Sequence, residues 1–251
     1  MAIKISIITV CYNSAATIAQ TIDSVLRQTY PEVEFIIIDG ASTDYTADVV
    51  KSFGRKISHF VSEPDNGIYD AMNKGIQKAT GDVIGILNAD DFYAADDILQ
   101  KVVTIFETTD AELVYGDLHY VKQYDTNIVT RKWKAGAATA KSFYRGWMPP
   151  HPTVFVRRAL YEKAGLFNTS FKSAADYEMM LRLFLKHQCR AAYLPVLMVK
   201  MRAGGVSNLS LKNRLRANGE DAAAWKVNNL KPQFFTIILK PLRKIGQFFI
   251  R

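Results

Sequence analysis

Val83-Ile84-Gly85-Ile86-Leu87 is a short uncharged run held between Gly81-Asp82 in front and Asn88-Ala89-Asp90-Asp91 behind. A run without polar alternation is covered on both faces, as a central strand of a parallel sheet is. Such a strand delivers Asn88, Asp90 and Asp91 to its carboxyl end, the edge where open α/β sheets bind ligands. Carboxylates gathered there repel one another and lose hydration, so a cation or several donors must offset the penalty. A hard divalent ion shared with a diphosphate meets that need with one or two carboxylates, phosphate oxygens and water. The alternative is that Asp90 and Asp91 cap a helix starting near Ala94.

Strand and helix signals alternate ahead of that run. Ile3–Val10 reads as an apolar strand, and 15–28 repeats Ile18, Ile22, Val25 and Leu26 at helical spacing until Pro31. Phe35–Asp39 is a second buried strand that runs into Gly40-Ala41-Ser42-Thr43-Asp44, a turn leading to a helix over 45–53. A third strand over 57–62, the loop Glu63-Pro64-Asp65-Asn66-Gly67 and a helix over 68–79 complete the pattern. This alternation predicts a mostly parallel sheet with helices on both faces. Beyond it, 113–116, 118–123 and 128–133 read as a small antiparallel part around a turn at 124–127.

Three polar clusters end successive strands: Thr9-Tyr12-Asn13, Asp39-Gly40-Ser42-Asp44, and Asn88-Asp90-Asp91. Parallel strands place their ends on one edge, so the clusters line one crevice. No G-x-G-x-x-G and no P-loop motif follows any strand, which excludes the usual dinucleotide and P-loop sites. A carboxylate such as Asp39 accepts from a base N–H, and a cation on Asp90 holds phosphates, an arrangement suited to a sugar nucleotide.

These residues carry a family resemblance. Ile8-Thr9-Val10-Cys11-Tyr12-Asn13, Ile37-Ile38-Asp39-Gly40-Ala41-Ser42-Thr43-Asp44, 63–75 and Leu87-Asn88-Ala89-Asp90-Asp91 resemble the family 2 glycosyltransferases of GT-A fold, over most of 3–205. The resemblance implies that Thr9, Tyr12, Asn13 and Asp39 hold base and ribose, with Asp65, Lys74, Asn88 and Ala89 nearby. It also implies that Asp90, with Asp91 beside it, carries Mg2+ or Mn2+. Asn88 stands where the family usually has the first acid of D-x-D, which removes one charge from the metal site.

In the second half, Trp147-Met148-Pro149-Pro150-His151-Pro152 is too proline-rich for regular structure. Trp147 and His151 are candidate acceptor contacts, or else a packed turn and a hydrogen-bonded structural histidine. Asp176 opens an apolar helix face made by Met179, Met180, Leu183 and Phe184. It reads either as a capping acid or as a base that deprotonates an acceptor hydroxyl in an inverting displacement. The acid at this motif is the general base in the resembled family. Neither Q-x-x-R-W nor a membrane span is present, so one sugar per encounter is expected. Lys200–Ser207 resembles the family's closing segment, where Arg202 meets a phosphate or neutralises surface acids.

The net charge of +8 is concentrated late: residues 196–251 hold 11 Lys/Arg against 2 acids, while 1–195 sum to −1. A nucleic-acid binder spreads its charge over a fold, so this asymmetry indicates a local anionic partner instead. From 234 to 251, Phe234, Ile238, Leu242, Ile245 and Phe249 share one helical face, with Lys240, Arg243, Lys244, Gln247 and Arg251 opposite. That describes an interfacial helix with Pro241 as kink or restart, or else an apolar face packed on the core. Cys11 and Cys189 have neither disulfide nor zinc spacing, and no basic-then-apolar leader precedes the first strand.

The expectation is therefore a transferase domain over 1–208, with a nucleotide half (1–110) and an acceptor half (111–208), followed by a basic helical extension over 209–251. It would move a sugar from a nucleotide-sugar donor, UDP-linked by preference, to a saccharide or lipid-linked saccharide. The setting would be surface polysaccharide or glycolipid assembly in the cytoplasm, at the inner face of an anionic plasma membrane. The alternatives are a sugar nucleotidylyltransferase, which wants a glycine-rich basic loop absent after the first strand, and a non-catalytic membrane-surface module.

Overall fold

The computed structural model describes residues 2–204 and 211–246. Strand and helix alternate as β1 (Ile5–Cys11), α1 (Ile18–Leu26), β2 (Val33–Asp39), α2 (Thr46–Ser52), β3 (His59–Ser62), α3 (Ile68–Lys78) and β4 (Val83–Ile86). Then come β5 (Asp91–Tyr93), α4 (Ile98–Thr108), β6 (Leu113–Val121), β7 (Val129–Trp133), β8 (Phe155–Arg157), α5 (Arg158–Ala164) and α6 (Ala175–Leu181). β9 (Ala191–Arg202), α7 (Leu211–Val227) and α8 (Thr236–Gly246) complete the described elements. Among these, no helix is long and apolar enough to cross a membrane.

One sheet runs β3-β2-β1-β4-β8-β6-β9-β5, with β7 alongside β6. β1 to β4 are parallel, as is the β6–β9 pair, while β8 joins both halves antiparallel. The β6–β7 hairpin is antiparallel, as its alternating composition predicts. Successive residues of a strand face opposite sides of the sheet, so the continuous apolar runs feed two cores. Ile8, Val10, Ile36 and Ile38 enter one core with Met72 and Ile76 of α3. Ile5, Ile7, Phe35 and Ile37 enter the other with Ile18, Ile22 and Val25 of α1 and Leu99, Val102 and Phe106 of α4. Helix α3 lies so close that a Cβ on Gly75 would stand 2.4 Å from Ile8 Cγ2.

Two local expectations change. Asp91 opens a short strand paired with β9 rather than capping a helix, and α4 starts only at Ile98. Lys240, placed on the outer polar face by helical spacing, turns inward: its ammonium is 2.5 Å from Asp221 Oδ1 and 3.4 Å above the Tyr177 ring. Helix α8 is docked by that pair and by Thr236 Oγ1, which donates to Tyr144 O at 2.7 Å. Trp225 of α7 has no exposed surface and belongs to the same core as α3 and α6. Residues 205–207 of the expected closing segment and 247–251 of the tail lie outside the described residues.

Candidate active site

The register Cys11↔Asp39 brings the ends of β1 and β2 level, with β4 on the other side of β1. Adjacent strands are about 4.8 Å apart, so Asp39 and the residues following β4 lie about 10 Å apart on one edge. Asp39 is fully buried and gathers donors: Ser42 N at 3.0 Å, Ser62 Oγ at 2.6 Å, Cys11 Sγ at 3.6 Å and the Ser42 hydroxyl. Burial, then the charge of Asp39, pushes the Cys11 thiol far above its ordinary range, so it stays protonated. Residues 40–43 are tied to the loop after β1: Asn13 N donates to Ser42 Oγ at 2.8 Å, and Asn13 Oδ1 accepts from Thr43 N at 2.9 Å. Asn13 adopts φ +49°, a left-handed conformation its residue type tolerates.

Gly40 is a point of close approach. A Cβ there would stand 2.4 Å from Asp65 Oδ2 and 3.5 Å from Tyr12 Cδ2. Tyr12 is 62% exposed, so its ring lies free beside this turn. Thr9 by contrast has no exposed surface, and its Oγ1 has no hydrogen-bond partner among the described residues. Lys74 Nζ donates to Pro64 O at 2.8 Å and pairs with Glu63 at 2.9 Å, which fixes the loop bearing Asp65.

After β4, Asn88 Nδ2 donates to Asp91 Oδ2 at 3.1 Å, while Asn88 Oδ1 and Asp91 Oδ1 are buried without partners. Ala89 is buried, and its carbonyl accepts from Thr21 Oγ1 at 3.0 Å. Burial raises the Asp90 and Asp91 carboxyls, and Arg202 pulls both down. Arg202 ends β9, beside the turn after β4. It is 5% exposed, donates to Asp90 O at 2.6 Å and to Gln20 Oε1, and lies over the Phe92 ring. It braces the turn from behind.

No group of three or more His, Cys, Asp or Glu side chains suited to a metal occurs among the described residues. Asp90 retains exposure and Asp91 has none, so a cation here would take Asp90 and the unpartnered Asn88 Oδ1 from the protein. Phosphate and water oxygens would complete its shell, which is the way Mg2+ is usually bound. The residues present would fit such an ion.

Across the edge, Asp176 is the second residue of α6, and its Oδ1 accepts from Tyr177 N at 2.7 Å and from Tyr69 Oη at 3.4 Å. Burial raises the Tyr120 phenol, and the charges of Asp91 and Asp176 add to that while Arg131 opposes it. His151 stands edge-on to Phe167, and its imidazole is held neutral by burial against the opposing pull of Asp176. Trp147 is not available to stack on a sugar: it is 4% exposed, its Nε1 donates to Ala135 O at 2.9 Å, and it packs against Phe143, Tyr115 and Phe184. The large apolar face of Trp147 is better satisfied in the core than in water.

The family model for Glycosyl transferase family 2 matches residues 6–171. The chain belongs to this family. As a glycosyltransferase it is 33% identical over 210 residues to a PGL/p-HBAD biosynthesis glycosyltransferase of Mycobacterium bovis, covering 81% of this chain and 78% of that one. An uncharacterized glycosyltransferase of Mycobacterium tuberculosis is 30% identical over 189 residues, covering 72% and 69%. Among solved structures, residues 1–349 of S. aureus TarS with UDP-GlcNAc superpose with TM-score 0.72 at 18% identity, over 98% of this chain and 72% of that one. Another S. aureus TarS structure is matched over 43% of its chain. The mannosyltransferase PcManGT of Pyrobaculum calidifontis, with GDP-Man and Mn2+, gives 0.66 at 22% identity, over 95% and 68%. The GT-A fold and transferase class expected from the motifs hold; the nucleotidylyltransferase and non-catalytic readings give way.

Tyr69 and Ser62 join the site although nothing in periodicity singles them out. Tyr69 stands inside the Asn66-Gly67-Ile68-Tyr69 motif, the one sequence signal that reaches it.

Proposed function

We propose that this glycosyltransferase moves a single sugar, with inversion, from a UDP-linked donor to a hydroxyl of a saccharide or lipid-linked acceptor. The observation that carries the reading is the pairing of a donor-lined Asp39 at the sheet edge with Asp176 across it, held by Tyr69. The exposed Tyr12 ring would stack on the base, and Asp39 would accept from a base N–H on displacing one of the hydroxyl donors that now fill its oxygens. Asp90 and Asn88 would hold a divalent ion, which supplies charge neutralisation for the departing diphosphate. Asp176 would take the proton of the acceptor hydroxyl as its oxygen bonds the anomeric carbon and the anomeric C–O bond to phosphate breaks. The nucleoside diphosphate leaves with that electron pair, and no covalent enzyme intermediate is needed.

Two similarities support the donor and acceptor classes: TarS is bound to UDP-GlcNAc, and the M. bovis relative is named for PGL/p-HBAD biosynthesis. For the setting, we infer a cytoplasmic enzyme at the inner face of the plasma membrane. Phe234, just ahead of α8, is 97% exposed, and Leu242 of α8 is 51% exposed beside the exposed Arg243. Exposed aromatic and aliphatic side chains next to basic ones suit an anionic lipid surface. The reading is tested by incubating the protein with Mn2+ and UDP-GlcNAc, UDP-Glc, UDP-Gal or GDP-Man and measuring nucleoside diphosphate release. One UDP-sugar should be turned over well above the rest; preference for GDP-Man would overturn the donor assignment.

A further inference from the structure

Helix α6 has no side-chain cap of its own: Ala174 precedes it and has no side-chain oxygen. The residues just ahead of α6 are instead held by a carboxylate of α7, 46 positions beyond Ala174. Glu220 Oε2 accepts from Ser173 N at 2.8 Å, Ala174 N at 3.0 Å and Ser173 Oγ at 3.0 Å, and its Oε1 accepts from Lys172 N at 3.2 Å. One carboxylate thus gathers three consecutive backbone N–H groups of the segment leading into Asp176. Charge-assisted bonds of this kind are roughly twice as strong as neutral ones.

The same C-terminal segment grips the residues just after Asp176. Trp225 Nε1 donates to Tyr177 Oη at 3.0 Å, and the Lys240 ammonium, paired with Asp221, lies over the Tyr177 ring. Asn228 Nδ2 donates to Glu178 Oε1 at 3.0 Å; Glu178 in turn holds Arg182, whose guanidinium donates to Ala164 O and Leu166 O. The backbone is therefore fixed on both sides of Asp176, while the Asp176 carboxylate itself meets only Tyr69 and the Tyr177 N–H among the hydrogen bonds described.

We infer that Glu220 is a positioning residue for Asp176, and that α7 is part of the catalytic unit rather than an appended tail. Holding 172–174 fixes where α6 begins, and so where the Asp176 carboxylate stands relative to the attacking hydroxyl. A displacement of about 1 Å at such a group can cost about 100-fold in rate. The inference rests on the reading of Asp176 as the base.

The test uses the full chain, Mn2+ and whichever of UDP-GlcNAc, UDP-Glc, UDP-Gal and GDP-Man is hydrolysed fastest, with water as the acceptor. Glu220→Ala should lower kcat about 10-fold or more, Glu220→Gln should recover part of that loss through its remaining acceptor oxygen, and UDP affinity by calorimetry should stay within about two-fold. In an Asp176→Asn background, Glu220→Ala should lower kcat no further, because the group it positions is gone. Hydrogen exchange over 172–178 should speed up in Glu220→Ala, which reads the geometry without turnover. An unchanged kcat in Glu220→Ala, unchanged exchange, or the same fold-loss with and without Asp176 overturns the positioning role. Full turnover by Asp176→Asn alone refutes the base itself, and that single variant tells this failure apart from the other.

Discussion

Tyr69 Oη and Asp176 Oδ1 meet at 3.4 Å although 107 positions separate them in the chain. Tyr69 lies in the first turn of α3, directly after the Asp65-Asn66-Gly67 loop, and Asp176 lies on α6. The contact ties α3 to α6. Phe167, which stacks on Tyr69 at 5.7 Å, is tied to α3 through paired hydrogen bonds with Asn73, so the junction is rigid.

Asp176→Asn keeps the shape and removes the basic oxygen. Nucleoside diphosphate release from the preferred donor should fall by about 10²- to 10⁴-fold. Affinity for UDP with Mn2+, measured by calorimetry, should be unchanged.

Asp90→Asn removes the charge through which a divalent ion would be held. UDP should then bind with the same affinity in Mn2+ as in EDTA, whereas the parent protein should bind more tightly with the metal. Retained Mn2+ dependence in the variant would shift the metal role away from Asp90.

Gly40→Ala puts a methyl 2.4 Å from Asp65 Oδ2. Asp65 and the Tyr12 ring must give way, and UDP affinity should drop by about 10-fold, in line with overpacking penalties of about 1–3 kcal/mol. Isothermal calorimetry with UDP and Mn2+ checks this, and a thermal melt shows whether the fold is retained.

Glu34 offers a test of stability away from the chemistry. Burial pushes its carboxyl up, but hydrogen bonds from Ser6 Oγ at 2.5 Å, from Thr80 Oγ1 and N–H, and from Lys4 Nζ outweigh that and hold it at about 2. Its ordinary value is 4.5. A carboxyl lowered in the folded state contributes fully above the unfolded value, and its contribution is lost as pH falls from about 4.5 to about 2. The shift corresponds to something on the order of 3 kcal/mol. Glu34→Gln should therefore lower urea-unfolding stability at neutral pH, with the gap to the parent closing as pH approaches about 2.

Replacing Phe234 and Leu242 by Ser removes the exposed apolar pair without touching the docked Thr236 and Lys240. Co-sedimentation with phosphatidylglycerol-containing liposomes should fall several-fold, while melting temperature and donor hydrolysis in solution stay at parental values. Equal co-sedimentation would assign the basic tail some other partner.

The parallel half was legible because its strands are buried on both faces: Ile5–Cys11 and Val33–Asp39 carry no polar alternation, and polar clusters follow them. Local sequence therefore dictated the strand ends, and with them the neighbourhood of Asn13, Asp39 and Asp90. The family motifs supplied the class of chemistry. Three things had no local signal. Trp147 looks exposed in a proline-rich loop, yet hydrogen bonding to Ala135 and contact with three aromatic rings draw it into the core. Lys240 has the spacing of a solvated face, yet an acid and an aromatic ring on other elements turn it inward. Glu220 is one acid in a basic stretch until folding brings it under 172–174. Periodicity reports which side of an element is buried, whereas partners contributed by distant segments exist only once the chain has closed on itself, and that is why tertiary structure alone decided what stands behind Asp176.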